Sequence, residues 1–236
     1  MQQITGILFD KDGTLFDFQA TWGAWAQSFL TEIAGGETAR AAELGAAIGY
    51  GFEAGLFAPD SPVIAGTPDE AAELLLPLLP GTDPAALIAR MNDAAARAPM
   101  REAAPLAALM TRLAGMGLKL GVATNDAEAP ARAHLAAAGV DAHFDFIAGC
   151  DSGFGAKPAP GQLLAFAEVT GLAPASVLMV GDSRHDLAAG RAAGMGTVAV
   201  LTGPARAGDL ADLADAVLPD IGHLPEYLRH LRGRGG

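Results

Sequence analysis

Two aspartates follow the first apolar segment of the chain. Ile4 to Phe9 has the composition of a buried strand, and Asp10-Lys11-Asp12-Gly13-Thr14 comes directly after it. Residues i and i+2 of an extended chain point the same way, so the two carboxylates would repel each other unless a cation lies between them. Oxygen ligands suit Mg²⁺, and glycine permits the turn that brings backbone N–H groups to a phosphate. The motif predicts a magnesium and phosphate site; acids in an ordinary exposed turn are the alternative.

A second pair of acids follows a later apolar segment. Val177 to Val180 is typical of a strand and leads into Gly181-Asp182, with Asp186 four residues further on. A charge that ends a valine-rich strand has no evident structural purpose, which makes Asp182 a candidate metal ligand. Asp186 has an alternative role as the cap of the helix that follows.

One hydroxyl and one ammonium complete the candidate set. Thr124 ends the strand-like segment from Leu118, and Lys157 lies in the loop Gly155-Ala156-Lys157-Pro158. Taken alone, Thr124 could be an ordinary strand residue and Lys157 an ordinary exposed residue of a loop. Ligands of open α/β sheets bind at the carboxyl ends of the strands, so we expect these two side chains to meet the four acids at one edge of a sheet.

The elements that must position these residues alternate along most of the chain. From about residue 98, helical and strand-like segments follow one another, which predicts an α/β fold with a doubly wound parallel sheet. The predicted strands after the first are 118–124, 144–148, 177–180, 197–201 and 216–218. The glycine-rich end, RGRGG, is expected to fray.

Residues 17–97 have the pattern of helices, with no strand expected. Trp22, Trp25 and Phe29 share one helical face and are interpreted as core rather than as a platform for substrate. Thr67-Pro68-Asp69-Glu70 and Asp83-Pro84 are typical helix starts. We expect an inserted all-helical cap at 17–97 on a Rossmann-like core formed by 1–16 and 98–236. The loop 57–66 is a candidate contact between cap and substrate.

Composition narrows the classes of function. The chain of 236 residues carries a net charge of −12, which argues against nucleic-acid binding. The single cysteine, Cys150, fits a reducing compartment. Neither a signal-peptide pattern nor an apolar run of spanning length is evident, so we expect a cytoplasmic protein that does not bind a membrane.

In order and spacing, the four motifs together resemble the haloacid dehalogenase-like hydrolase superfamily, and in particular its phosphoglycolate phosphatase-like branch. The motifs here are Asp10 to Thr14, Thr124-Asn125, Lys157-Pro158, and Gly181 to Asp186. The resemblance extends along nearly the whole chain, and the helical insertion resembles the α-helical cap of that family.

The resemblance implies a Mg²⁺-dependent phosphatase that acts on a small-molecule phosphate monoester, phosphoglycolate-like or a sugar phosphate. It implies that Asp10 is the nucleophile and that Asp12 is the general acid and base. The phosphate-binding residues would be Lys11, Asp12, Thr124, Asn125 and Lys157, with Lys11 and Asp12 acting through backbone N–H groups. The metal-binding residues would be Asp10, Asp12 (through its backbone carbonyl), Asp182 and Asp186. Of these, Asp186 would support the ion from behind its direct ligands. A monomer or homodimer is expected.

Other functions stay open at this point. A phosphomutase of the same fold is the first alternative, although Thr14 favours hydrolysis. A haloalkanoate dehalogenase is disfavoured by the acid at Asp12. From another class, a receiver-like signalling protein or a non-catalytic phosphate-binding protein would also use acids with a threonine and a lysine. The cap segment 17–97 contains few basic residues, namely Arg40, Arg90 and Arg97, so a carboxylated substrate such as phosphoglycolate finds few partners there.

Overall fold

A six-stranded parallel sheet forms the centre of the structure, a computed structural model that describes residues 3–233. The strands of this sheet are β1 (Gly6–Phe9), β4 (Lys119–Ala123), β5 (Phe146–Ala148), β6 (Val177–Gly181), β7 (Gly196–Val200) and β8 (Ala216–Leu218). Their spatial order is β5-β4-β1-β6-β7-β8, and every neighbouring pair is parallel. The predicted α/β class and parallel sheet are confirmed. Fraying was predicted for 232–236, of which 234–236 lie outside the described residues.

Helices cover both faces of this sheet. The helices after residue 98 are α5 (Leu106–Gly115), α6 (Glu128–Ala137), α7 (Gly161–Thr170), α8 (Arg184–Ala192), α9 (Ala207–Leu210) and α10 (Leu224–Gly233). Alternate residues of each strand face opposite sides. Ile7 and Phe9 accordingly pack in a cluster with α5 and α10, whereas Leu8 packs with α7 and α8. The doubly wound arrangement therefore follows from near-continuous apolar strands whose two faces are both covered.

The segment between β1 and α5 has its own apolar cluster. It contains the helices α1 (Phe18–Ile33), α2 (Thr38–Ala47), α3 (Pro68–Leu75) and α4 (Pro84–Ala95). Thr67 and Glu70 form the predicted capping box, and Asp83 caps α4 through Ala86 N–H. Phe29, Leu44, Leu75 and Leu87 are among its buried side chains. The division into cap and core domains at residues 16 and 97 stays a prediction.

Two short strands depart from the expectation of an all-helical insertion. Tyr50–Gly51 (β2) pairs antiparallel with Leu56–Phe57 (β3). Strands of two residues are too short to show alternation, which explains why the sequence pattern did not reveal them. This pairing fixes the start of the loop 57–66. Gln19 adds to it, because its side chain hydrogen-bonds both the N–H and the carbonyl of Phe57.

Some predicted boundaries were wrong by a few residues. The strand predicted over 144–148 is Phe146–Ala148, and the strand predicted over 197–201 is Gly196–Val200. No helix within residues 3–233 combines the length and apolarity that crossing a membrane requires.

Candidate active site

The carboxyl ends of three adjacent strands meet at one cavity. Asp10 follows β1, Thr124 follows β4 and Asp182 ends β6, and β1 lies between the other two. Seven of the eight predicted site residues line this cavity of about 110 Å³, and Lys11 is the exception. The seven are Asp10, Asp12, Thr124, Asn125, Lys157, Asp182 and Asp186. The convergence expected from the topology is thus present in the structure.

Lys157 links two of the acids. Its Nζ donates to Asp10 Oδ1 at 2.6 Å, to Asp186 Oδ1 at 2.7 Å and to the carbonyl of Ala123 at 2.7 Å. Burial alone would lower the pKa of Lys157, but the two carboxylates outweigh burial and raise it. The lysine is therefore a fixed positive charge, held beside the predicted nucleophile.

Three buried carboxylates lie close enough to share a cation. Oxygen atoms of Asp10, Asp182 and Asp186 all lie within 4.8 Å of one another. Burial and the neighbouring carboxylates raise the pKa of Asp182 well above its usual value, and burial raises that of Asp10 to about 7. Lys157 is the ammonium paired with this group, so the cluster carries a residual charge of −2 once all three carboxylates are deprotonated.

The surroundings of Asp182 fit a divalent ion. Its carboxylate is 4% exposed, and the hydrogen bond that it accepts from a side chain among the described residues is a long one, from Thr14 Oγ1 at 3.4 Å. Buried carboxylates are normally held by shorter hydrogen bonds, so side chains compensate the charge of Asp182 only weakly. Hard oxygen donors and a residual charge of −2 match the preferences of Mg²⁺.

Gly13 brings the first motif close to Asp182. Its φ is +78°, and a Cβ at this position would lie 2.4 Å from Asp182 Oδ2. Any side chain would therefore collide with the carboxylate and strain the backbone. This contact explains why glycine follows the two aspartates.

Asp186 has a structural task as well. Ser183, rather than Asp186, is the N-terminal cap of α8, and Asp186 completes the capping box by accepting from the N–H and hydroxyl of Ser183 at 3.0 and 2.6 Å. One oxygen of Asp186 is thus bound to the helix start and the other to Lys157. The carboxylate is held rigidly at the edge of the acid cluster.

Thr124 and Asn125 differ in what they can offer a phosphate. The Thr124 hydroxyl accepts from Asp126 N–H at 3.1 Å, which leaves its own proton for a bound oxyanion. The Asn125 amide is engaged, because Nδ2 donates to the carbonyls of Ala65 and Lys157 and Oδ1 accepts from Lys157 N–H. A role of Asn125 in binding phosphate would therefore fall to its backbone N–H.

Lys11 lies in a buried network that the sequence did not reveal. Its Nζ donates to Asp12 at 2.8 Å, lies 3.2 Å from Asp126 Oδ2 and 3.1 Å from His134 Nδ1, and sits 5.3 Å from the ring centre of Trp22. Asp12 and Asp126 raise the pKa of Lys11 despite its burial. Lys11 therefore fixes the Asp12 carboxylate through a short, partly buried contact.

His134 connects this network to α4. Its Nε2 lies 2.7 Å from the carbonyl of Ala95, so the neutral ring donates there and accepts from Lys11 at Nδ1. Burial and the charge of Lys11 lower the pKa of His134 to about 4. These contacts give His134 a structural role, and the sequence did not identify His134 and Asp126 as partners of Lys11.

The aromatic face of α1 has a second role. Trp22, Trp25 and Phe29 pack against the apolar cluster of the insertion, as expected, but all three also line the cavity. Trp25 stacks on Phe29 with ring centres 5.2 Å apart and an interplanar angle of 8°. The interpretation of these rings as core is confirmed. Their position in the cavity wall is an addition that helical spacing did not predict, because one face of a helix can contact both its own core and the cavity.

The two residues that precede Asp186 lie outside the acid cluster. Arg184 forms an exposed pair with Asp212, whereas His185 lines the cavity. Residues 63–66 of the predicted contact loop also line it, beside the acids.

Comparisons with known proteins agree with this geometry. A family model described as haloacid dehalogenase-like hydrolase matches residues 4–194. Phosphoglycolate phosphatase of Neisseria meningitidis is 41% identical over 124 residues, which are 51% of this chain and 52% of that relative. The chain thus matches about half the length of this curated relative.

Solved structures share the fold over almost their whole length. A Bacteroides fragilis protein assigned to the haloacid dehalogenase-like hydrolases superposes with a TM-score of 0.72 at 21% identity, over 94% of this chain and all of that one. A phosphatase of the same superfamily from Thermococcus onnurineus gives a TM-score of 0.66 at 22% identity, over 95% and 98%. The family model covers most of the chain, and we conclude that this protein belongs to the haloacid dehalogenase-like hydrolases.

Proposed function

We propose that this protein is a cytoplasmic, Mg²⁺-dependent phosphatase that hydrolyses a small-molecule phosphate monoester through a phospho-aspartate on Asp10. The observation that carries the proposal is the buried cluster of Asp10, Asp182 and Asp186 with Lys157 bound to it, at the ends of adjacent parallel strands. When its three carboxylates are deprotonated, this cluster has a residual charge of −2, which suits one divalent cation.

Asp10 is the proposed nucleophile. Its carboxylate oxygen attacks phosphorus, the bond from phosphorus to the ester oxygen breaks, and the alcohol leaves with a proton from Asp12. Asp12 suits this transfer because it lines the cavity and its carboxylate is held by Lys11 at 2.8 Å. Water then attacks the same phosphorus, gives a proton to Asp12, and releases inorganic phosphate with Asp10 restored.

Positive charge and hydrogen-bond donors would hold the phosphoryl oxygens. Lys157 and Thr124 line the cavity beside Asp10, and the backbone N–H groups of Lys11 and Asp12, which follow Asp10 in the chain, would add further donors. Phosphoryl transfer depends mainly on positioning and on charge neutralisation of these oxygens. When bound, Mg²⁺ would supply most of that neutralisation, held by Asp10, the backbone carbonyl of Asp12 and Asp182, with Asp186 in support.

Phosphate release tests the proposal. Purified protein should release inorganic phosphate from 4-nitrophenyl phosphate with Mg²⁺ and lose this activity with a chelator. Asp10→Asn should reduce kcat by about 1000-fold or more, as for other covalent nucleophiles. Asp93→Asn, at an exposed acid of α4, is the control and should retain activity.

Trapping distinguishes the covalent route. Acid quenching during turnover, followed by digestion and mass spectrometry, should place a phosphoryl group on the peptide that contains Asp10. Absence of phosphate release from every ester, or full activity in Asp10→Asn, would contradict the proposal. Gel filtration with light scattering should show the expected monomer or homodimer.

A further inference from the structure

The cavity has two chemically different halves. The acid cluster and Lys157 form its base, whereas the insertion and the loop 57–66 form an apolar wall opposite. The larger apolar side chains of this wall include Trp22, Trp25, Phe29, Ile48, Val63 and Met91. A single water needs about 10–15 Å³, so a cavity of about 110 Å³ extends well beyond one small polar group. In a monoester bound with phosphorus at Asp10, the alcohol portion would face this wall.

No cationic side chain of the described insertion residues lines the wall. Arg40 pairs with Glu43, and Arg90 pairs with Glu32. Arg97 is exposed and lies outside the cavity lining. Lys157, the lysine that lines the cavity, is already bound to Asp10 and Asp186. His185 also lines the cavity, but it lies on α8 and not in the wall. A carboxylate on the alcohol portion would therefore meet no lysine or arginine of the wall.

The charges that do line the cavity would repel a second anionic group. Asp12 and Asp126 join the acid cluster along its edge. Transfer of a carboxylate from water into an apolar environment is strongly unfavourable without a partner, whereas burial of apolar surface is favourable. The wall also contains aromatic rings, and those of Trp22 and Trp25 are edge-to-face with their ring centres 5.3 Å apart. Such rings provide flat surfaces that suit a ring or a branched hydrocarbon.

We propose that the substrate is a phosphate monoester of an uncharged, largely apolar alcohol, aromatic or branched, rather than of a carboxylated alcohol such as glycolate. This inference rests on the proposed function for the position of the phosphate. The wall residues select the alcohol portion, and the acids repel competitors that carry a second negative charge.

A matched pair of esters isolates the charge. Benzyl phosphate and 4-carboxybenzyl phosphate share the same reacting bond and differ in one distant carboxylate. We expect kcat/KM with Mg²⁺ to be at least about tenfold higher for benzyl phosphate, a discrimination that a pocket of this kind can supply. Phosphoglycolate should be at least as poor as the carboxylated ester. Equal or better turnover of either carboxylated compound would overturn the inference while leaving the phosphatase proposal intact.

Binding without turnover separates the two proposals. The chain contains two tryptophans, and both line the cavity, so their fluorescence reports its occupancy. With Mg²⁺, benzylphosphonate should change this fluorescence at concentrations at least about tenfold lower than 4-carboxybenzylphosphonate. If no ester is hydrolysed but this order holds, the phosphatase proposal fails and the ligand class stands. Equal affinities would overturn the ligand class.

A cation placed in the wall should change the preference. Asn92 lies on α4 and lines the cavity, whereas Ala89 on the same helix is exposed and lies outside it. Asn92→Arg should raise the kcat/KM ratio of carboxylated to uncarboxylated ester by about tenfold, because it supplies the missing counter-charge. Ala89→Arg adds the same charge elsewhere and should leave the ratio unchanged. An unchanged ratio in Asn92→Arg, in protein with native circular dichroism, would count against the apolar wall as the selecting surface.

Discussion

Lys157 Nζ lies 2.6 Å from Asp10 Oδ1, and the same ammonium reaches Asp186 at 2.7 Å. These residues come from a loop, a strand end and a helix start that are far apart in sequence. The ammonium therefore has two roles. It offsets the charge of Asp10, the predicted nucleophile, and it fixes Asp186, which completes the capping box of α8. Breaking this contact should affect chemistry and folding together.

The first prediction concerns this ammonium. Lys157→Met keeps the length of the side chain but removes its charge, so the phosphoryl oxygens and Asp10 both lose a partner. We expect kcat to fall by about 100- to 1000-fold, the usual effect of removing one group that stabilises developing charge. Stability should also fall, by about 3–5 kcal/mol in the absence of metal, because two buried carboxylates are left uncompensated. Steady-state kinetics and urea unfolding measure the two effects.

The matched control for this substitution is Lys119→Met. Lys119 pairs with Asp145 at 2.7 Å, but its side chain is 51% exposed. Exposed pairs contribute about 0–1 kcal/mol, so both activity and stability should stay near those of the parent protein. Comparable losses in both variants would show that the effect of Lys157→Met does not arise at the candidate site.

The second prediction concerns metal and pH together. Burial raises the pKa of Asp10 to about 7 from an unfolded value near 3.8, and burial also raises that of Asp182. The metal-free folded state therefore retains protons that the unfolded state releases. This contribution to stability is fully present below pH 3.8 and is lost as pH rises through about 7. With chelator, the Asp10 contribution to Tm should thus fall between pH 5 and pH 8.

Mg²⁺ should reverse this loss, because it binds the deprotonated carboxylates and releases their protons. Its stabilising effect on Tm should be larger at pH 8 than at pH 5, and Asp182→Asn should weaken it markedly. Asp212→Asn, at an exposed acid, should leave it unchanged. A Mg²⁺ effect that is equal at both pH values, and equal in Asp182→Asn, would contradict binding at this cluster.

The third prediction concerns Asn125 as a link between core and insertion. Its side chain donates to Ala65 and Lys157 at 2.7 and 2.8 Å and accepts from Lys157 N–H at 2.8 Å. Asn125→Ala removes all three hydrogen bonds and should cost about 2–4 kcal/mol, at roughly 1 kcal/mol for each. Amide exchange of residues 62–66 should become faster, and KM should rise because this loop lines the cavity.

Asn125→Asp separates the contributions. The aspartate can still accept from Lys157 N–H but cannot donate to Ala65. Amide exchange in the loop should therefore be as fast as in Asn125→Ala. Loop exchange unchanged in both variants would show that Asn125 does not hold the loop.

The sequence predicts the acid site well because its signals are local and redundant. Asp10 and Asp182 each end an apolar strand, and parallel strands place such ends at one edge. The network of Lys11 was not predictable in the same way. Alternation indicates only that Lys11 points away from its neighbours, and its partner His134 is 123 positions distant. The roles of Trp22 and Trp25 were missed for another reason: helical spacing identifies their shared face but not what that face contacts.

The fourth prediction tests the buried His134. Burial, and secondarily Lys11, lower its folded pKa to about 4, below an unfolded value of 6.5. As pH falls below 6.5, the unfolded state gains a proton that the folded state does not, so stability is lost. This group should cost about 2 kcal/mol at pH 5 relative to pH 8. His134→Gln can keep both hydrogen bonds without titrating, so urea unfolding across this range should show a flatter pH dependence by about that amount. His230→Gln, at an exposed position, should retain the parental dependence. Parallel pH profiles for His134→Gln and the parent protein would mean that His134 is protonated alike in the folded and unfolded states, and the neutral link between Lys11 and Ala95 would have to be abandoned.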